Sequence, residues 1–183
     1  MKTKKASPTK FIATAAVGIA MVIIAQLLGK VIPAALVPLL GISASQLITG
    51  SLVNCVLFVF SEIFGMYCGI SIGICSAVIA SFIGVGPSIA AIVPIIACGN
   101  ALLCLIYCCM KKVSRILAVV VSAVGKCAFL WIGVSVALSF LSLKQAQASM
   151  LTLMFSWPQG ITALAGGLIA AAISKRIAPH LKH

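Results

Sequence analysis

The hydrophobic positions of this chain form long continuous runs, and the charged residues are confined to short stretches between them. Residues 63–110 carry no formal charge, which is enough for two membrane spans of about 20 residues each. Further largely apolar runs, uncharged or interrupted by a single lysine, cover residues 11–29, 31–61, 116–143 and 145–174. Because the apolar positions are continuous and do not alternate with polar ones, the pattern predicts membrane-spanning α-helices.

Glycine and proline residues divide these runs into six predicted helices. Residues 65–69 form a tight connection, residues 84–87 break the chain again, and a longer connection spans residues 30–45. The predicted helices are 11–29, 46–64, 69–84, 90–110, 114–140 and 153–176, the last of which begins near Trp157 if Ser156 caps it. The sequence therefore predicts an all-α polytopic membrane protein with six transmembrane helices.

The basic residues are distributed unequally between the two ends of these helices. Six crossings place both chain ends on one side, and ten lysines and arginines fall there, whereas only Lys30 and Lys144 fall on the other side. The ten are Lys2, Lys4, Lys5, Lys10, Lys111, Lys112, Arg115, Lys175, Arg176 and Lys182. By the positive-inside rule we expect both termini to be cytoplasmic. The membrane domain at 11–176 is then flanked by basic tails at 1–10 and 177–183, which contact lipid and set topology rather than bind nucleic acid.

Acidic residues are almost absent from the chain. Glu62 is the only carboxylate side chain among 183 residues, and both histidines lie within the last four positions. Acid–base hydrolysis, proton relays and divalent-metal sites nearly all use carboxylates or clustered histidines. The composition therefore argues against an enzyme, a bound metal or a cofactor. Glu62 lies near the cytoplasmic end of the second helix, where we expect it to pair with Lys111, Lys112 or Arg115.

Lys126 is the sharpest candidate for function because it lies about twelve residues into the fifth predicted helix. A charged lysine at that depth costs about 2.5–3.5 kcal/mol on insertion scales, so it must face the bundle interior or a cavity. Two interpretations remain open. Lys126 binds an anionic ligand such as a carboxylate, or it hydrogen-bonds backbone carbonyls or Asn100 and serves structure alone.

Other polar side chains gather in the outer half of the predicted bundle. Asn54 and Asn100 lie near the middle of their helices and are expected to hydrogen-bond between helices. The candidate substrate-binding residues are Gln26, Asn100, Lys126, Trp131, Trp157 and Gln159. Trp131 lies about 140° around its helix from Lys126, so the two need not line the same wall. Trp157 is also typical of an interfacial aromatic belt.

Residues 156–159 have the spacing of a helix N-terminus. Ser156 and Gln159 are placed as in a capping box, and Pro158 suits the first turn. This arrangement predicts free N–H groups that face outward and are available to an anion.

Small residues recur at four-residue spacing, which lets helices approach closely. Three such series occur in the sequence: Ala16 with Ala20, Gly65 with Gly69 and Gly73, and Ala163 with Gly167. Each predicts either packing inside the bundle or contact with another subunit.

Three segments resemble the substrate-binding S component of energy-coupling factor (ECF) transporters, the membrane subunits that capture vitamins. They are residues 48–54 (ITGSLVN), 93–101 (VPIIACGNA) and 155–159 (FSWPQ), and the resemblance spans about residues 11–176. The resemblance implies a vitamin or vitamin precursor bound in an outward-facing pocket, with a transmembrane coupling subunit and two ATPase subunits as partners. It also implies a lid at 30–45, and docking of the coupling subunit on Ala16 and Ala20.

This resemblance agrees with the lack of catalytic groups. The chain has no Gly-x-x-x-x-Gly-Lys-Ser/Thr phosphate loop, so a partner would have to hydrolyse ATP. Lys126 favours an anionic, pantothenate-like ligand, and the expected location is the plasma membrane of a bacterial cell. A stand-alone secondary transporter or facilitator and a non-catalytic structural membrane subunit remain as alternatives.

Overall fold

The computed structural model of the protein describes residues 7–32, 36–37, 42–87 and 89–177. The described elements are predominantly helical, apart from a pair of two-residue antiparallel strands, and they confirm the all-α class. In chain order they are α1 (Pro8–Val31), β1 (Leu36–Val37), β2 (Ile42–Ser43), α2 (Ala44–Ile63), α3 (Met66–Phe82), α4 (Val93–Met110, preceded by a 3₁₀ turn Ala90–Ile92), α5 (Arg115–Phe140), α6 (Gln145–Met154) and α7 (Trp157–Ile177).

The protein is a multi-pass membrane protein by the length and apolarity of its helices. Five stretches are long and apolar enough to cross a bilayer: α1, α2, α4 with its preceding turn, α5, and the segment formed by α6 and α7. The remaining helix of the bundle, α3, has 17 residues, which is at the short end of the range that spans a hydrocarbon core.

The packing partners of glycines show how the helices run. Glycine positions approach side chains of neighbouring helices in the pairs Gly18–Phe60, Gly29–Thr49, Gly50–Thr162, Gly167–Phe58, Gly73–Asn100 and Gly99–Leu130. These pairs make α1 antiparallel to α2, and α2 parallel to α7. The start of α1 and the end of α7 therefore lie at the same end of the bundle, called the proximal end here, and the opposite end is called distal.

Two apolar clusters form the core. The larger one fills the proximal part and includes Phe58, Ile72 and Leu103, all fully buried. The smaller one, with Leu130 and Val134 of α5, packs the distal part. On α5, Lys126 lies between these two clusters, so the charged residue falls where the apolar core is interrupted.

The largest departure from the predicted elements is α6. The sequence predicts a connection up to residue 153, whereas Gln145–Met154 forms a helix of its own and α7 begins at Trp157. α6 has no buried residue, so the core pattern that identifies a helix in sequence is missing from it. Two starts also differ: α1 begins at Pro8, within the predicted basic tail, and α3 begins at Met66.

The turn between α2 and α3 depends on a glycine. Gly65 precedes α3 with a φ of 96°, a left-handed conformation that other residues rarely adopt. A Cβ there would meet nothing within 4 Å, so the conformation rather than the available space requires glycine.

Candidate functional site

A cavity of about 280 Å³ lies inside the distal half of the bundle. It is bounded by the second half of α1, the first halves of α2, α4 and α7, the end of α3, and the middle of α5. Its polar walls come from Gln26, Ser43, Ser45, Gln46, Thr49, Asn54, Ser76, Asn100, Lys126, Gln159 and Thr162. Six of these residues belong to two hydrogen-bonded groups.

The first group, the lysine network, consists of Lys126, Asn54 and Thr162. Lys126 is 3% exposed, and its Nζ donates to Asn54 Oδ1 at 2.7 Å. Asn54 Nδ2 donates to Thr162 Oγ1 at 3.3 Å, and Thr162 Oγ1 donates to the carbonyl oxygen of Gln159 at 3.1 Å. Because an ammonium can only donate, the orientation of the Asn54 amide is fixed. The network joins α5 to α2 and α7.

This geometry identifies the protein group that accepts a hydrogen bond from Lys126. Its protein partner is Asn54, not Asn100 or a backbone carbonyl. An ammonium has three N–H donors, and within the described ranges the other two have no acceptor. The sequence prediction that Asn54 and Asn100 bond between helices is confirmed.

The second group, the amide network, centres on Ser76 of α3. Gln26 is 4% exposed, and its Nε2 donates to the Ser76 carbonyl oxygen at 3.0 Å. Asn100 Nδ2 donates to the Gly73 carbonyl oxygen at 3.1 Å and to Ser76 Oγ at 3.0 Å. Both amides therefore bind α3 through nitrogen.

Glu62 lies away from the cavity. Its carboxylate is 3.0 Å from Arg115 and 3.3 Å from Lys111, and it accepts a hydrogen bond from Tyr107 Oη at 3.2 Å. Lys111 also donates to the carbonyl oxygens of Ser61 and Glu62 at the end of α2. The predicted ion pairing is confirmed for Lys111 and Arg115. The only acidic side chain is therefore already paired at the proximal end.

The structure brings together four of the six predicted substrate-binding residues. Gln26, Asn100, Lys126 and Gln159 line the cavity. Trp131 is 53% exposed and lines a groove between α5 and α6, on a different side of α5 from Lys126. Trp157 is 37% exposed and is not among the cavity residues.

Sequence reasoning missed several polar residues of the cavity. Gln46 and Thr49, three positions apart in the first turns of α2, place side chains on one helix face. That spacing was a usable signal, since Asn54 lies on the same helix. Ser76 and Thr162 gave no such signal, because serine and threonine are ordinary residues in transmembrane helices.

The predicted capping box does not form. Ser156 Oγ donates to the Leu153 carbonyl oxygen at 2.8 Å, and Gln159 Nε2 donates to the Met154 carbonyl oxygen at 3.1 Å. Both side chains satisfy carbonyls at the end of α6, because α6 directly precedes α7. The predicted capping box is therefore wrong, whereas the prediction that N–H groups at this helix start are available to an anion stays a prediction.

The predicted lid at 30–45 falls largely on positions 33–35 and 38–41, which lie outside the described residues. Its end is described: Ser43 Oγ caps α2 by accepting from the Gln46 N–H at 3.1 Å. Ser45 Oγ donates to the carbonyl oxygen of Gly29, which ties the start of α2 to the end of α1. Both serines line the cavity.

The small-residue series differ in where they face. Gly69 and Gly73 pack inside the bundle against Ser61 and Asn100 respectively. Gly167 packs against Val119 and Phe58. Ala16 and Ala20 are exposed on the outer face of α1.

Other chemistry finds no support among the residues that the structure describes. No group of three or more His, Cys, Asp or Glu side chains could hold a metal ion there. Comparison of the chain with family models, with curated proteins and with solved structures finds no match.

Proposed function

We propose that this chain is the substrate-capture membrane subunit of an ATP-driven, ECF-type importer. In this proposal it binds a small anionic, vitamin-like solute in the distal cavity. The observation that carries the proposal is Lys126, a buried lysine on the cavity wall that has an amide and no carboxylate as its protein partner.

The electrostatics of the cavity favour an anion. A buried charge is costly unless it is paired and hydrogen-bonded. Asn54 supplies one acceptor but no negative charge, and Glu62 is bound to Lys111 and Arg115 at the other end of the bundle. A ligand carboxylate would supply the missing charge and accept the remaining N–H donors of Lys126.

The size of the cavity favours a small solute. Ligand pockets typically measure about 300–1,000 Å³, and a cavity of about 280 Å³ lies at the lower limit. Its lining agrees with a polar solute, because apolar residues such as Val53, Ile96 and Phe155 share it with the eleven polar residues named above.

The same residues favour a chain that binds the solute while a separate subunit supplies the energy for transport. The described walls of the cavity contain no acid, whereas most secondary transporters couple to protons or sodium through buried acids. A partner would therefore provide the energy. The outward-facing alanines Ala16 and Ala20 offer a smooth surface on α1 where a transmembrane coupling subunit could pack. The proposed setting is a plasma membrane with the distal cavity facing outward.

Ligand binding to the purified protein tests this proposal. Thermal unfolding in detergent is measured against a panel of water-soluble vitamins and precursors, since a ligand that binds only the folded state raises the melting temperature. We expect a carboxylate compound to stabilise the protein. The Lys126→Met variant should bind that compound about tenfold or more weakly, as loss of a hydrogen bond to a charged group predicts.

Lys144→Met is the matched control, because Lys144 is exposed and lies outside the cavity. It should bind like the wild type. Equal affinity of Lys126→Met and the wild type would contradict the anion-binding role. Absence of stabilisation by any compound would instead favour a structural subunit, and uptake into vesicles that contain this chain alone would favour a stand-alone facilitator.

A further inference from the structure

We infer that the cavity recognises its ligand at two ends: a carboxylate at Lys126, and an N–H or O–H donor at Gln26 and Thr49. This inference rests on the proposed function and deepens it by naming the class of substrate. It follows from the unused N–H donors of Lys126 and from the buried oxygens of Gln26 and Thr49, which receive no hydrogen bond within the described chain.

The first wall offers acceptors. The nitrogen of the Gln26 amide is held by the Ser76 carbonyl oxygen, which can only accept. Rotating the amide would place two oxygens against each other, so Gln26 Oε1 is the free atom. That oxygen is buried and receives no hydrogen bond within the described chain. A buried acceptor without a donor costs about 1–3 kcal/mol, so a donor on the ligand would be stabilising.

Two neighbouring groups add to this wall. Thr49 Oγ1 is likewise buried and without a partner among the described residues, and Thr49 lines the same cavity. Asn100 binds the carbonyl of Gly73 and the hydroxyl of Ser76 through its nitrogen, and its oxygen accepts from no described residue. The oxygens of Gln26 and Asn100 make this side of the cavity an acceptor surface.

The second wall carries the positive charge of the cavity at Lys126. The cavity also has acceptor oxygens at Gln46 and Gln159, whose amide nitrogens donate to the Met154 carbonyl oxygen. Lys126 Nζ keeps two N–H groups after its bond to Asn54. The Asn54 nitrogen is engaged by Thr162. A carboxylate would be attracted to Lys126 and repelled by the oxygens of Gln26 and Asn100. A ligand with one carboxylate would therefore bind in one orientation, with its carboxylate at Lys126. The substrate class is therefore a small carboxylic acid that carries hydroxyl or N–H groups at its other end.

Thiamine is cationic and would be repelled by Lys126, so the proposed anion binding already excludes it. The two-ended class further excludes acids that carry no donor at the far end. Nicotinate has a carboxylate but no N–H or O–H donor at its far end, so it would satisfy only the lysine wall. Pantothenate and biotin each combine a carboxylate with donor groups, and they are the probes that match both walls.

The experiment compares matched ligands and matched variants by binding calorimetry in detergent. Pantothenate and biotin are each paired with the analogue that lacks the charge, pantothenol and biotinamide. We expect one of the two acids to bind best, and its uncharged analogue to bind about tenfold or more weakly. Lys126→Met should remove most of this preference for the acid.

The acceptor wall is tested with Gln26→Leu, with Gln147→Leu as the control because Gln147 is exposed on α6. Gln26→Leu should weaken binding of the preferred acid about fivefold or more, and Gln147→Leu should not change it. Thr49→Val removes a hydroxyl at nearly constant size. It gives a second reading of the same wall if Gln26→Leu fails to fold.

The outcomes separate this inference from the proposed function. If an acid binds but neither Gln26→Leu nor Thr49→Val weakens its binding, the two-ended recognition is wrong while capture of an anionic solute stands. If thiamine or another cation is the preferred ligand, both the two-ended recognition and the proposed anion binding are wrong. If no vitamin or precursor binds, ligand capture itself is wrong, and the recognition scheme fails with it.

Discussion

At the residue scale, the lysine network shows how a charge is held inside a membrane domain without an acid. Lys126 donates to an amide oxygen, the amide nitrogen donates to Thr162, and Thr162 donates to a backbone carbonyl. Each donor in this chain of hydrogen bonds therefore has an acceptor on the next group. The arrangement orients the lysine, and no acidic side chain among the described residues pairs with its charge.

Asn54→Leu tests how much this orientation contributes to stability. The substitution removes the acceptor of Lys126, and leaving a buried donor unpaired costs about 1–3 kcal/mol. We expect the ligand-free variant to unfold at a lower temperature in detergent. The double variant Asn54→Leu/Lys126→Met removes both partners, so its loss should be smaller than the sum of the single losses by about 0.5 kcal/mol or more. Strictly additive losses would show that the contact contributes nothing.

At the element scale, the contact between α2 and α7 depends on small residues. Gly166 lies so close to α2 that a Cβ would stand 2.5 Å from the Ser51 carbonyl oxygen and 2.7 Å from the Cys55 nitrogen. These are backbone atoms and cannot rotate away. Close packing here also places Thr162 beside Asn54, so the separation of the two helices affects the cavity directly.

Gly166→Ala should therefore push α7 away from α2. Overpacking costs about 1–3 kcal/mol, which corresponds to a fall in melting temperature of roughly 2–12 °C for a chain of this size. Gly160→Ala is the control on the same helix, since its Cβ would meet only Cys127 atoms at 3.6 Å. If thermal unfolding in detergent shows equal effects for the two variants, tight packing at Gly166 is not what holds α2 and α7 together.

The helices also show how much of the fold could be predicted from the sequence. Long uncharged runs identified the spanning helices, because a bilayer imposes length and apolarity on each helix separately. α6 was missed because its ten residues are too few to span a bilayer alone and none of them is fully buried. The depth of Lys126 and Asn100 was predictable by counting residues along their helices. Their partners were not, since Asn54 and Ser76 come from helices whose rotation is set only by packing.

At the scale of the whole molecule, binding and energy coupling would occupy different surfaces. The cavity lies inside the distal half of the bundle, whereas Ala16 and Ala20 face outward near the start of α1. The glycine series of the other helices are used for internal packing, as Gly73 is against Asn100. The alanine pair on α1 is thus the small-residue series that remains available to a partner in the membrane.

Enlarging both alanines should separate the two activities. In Ala16→Leu/Ala20→Leu, the added side chains would keep a coupling subunit from packing closely on α1. We expect ATP-dependent uptake in cells that express the coupling module to fall about tenfold or more, a coupling loss of about 1.4 kcal/mol. Ligand affinity of the purified variant should stay within about twofold of the wild type, because neither alanine lines the cavity. Ala128→Leu, at an exposed position on α5, should leave both properties unchanged. Normal uptake by the double variant would contradict docking at this face, and a parallel loss of affinity would show that the substitutions disturb the fold rather than a partner.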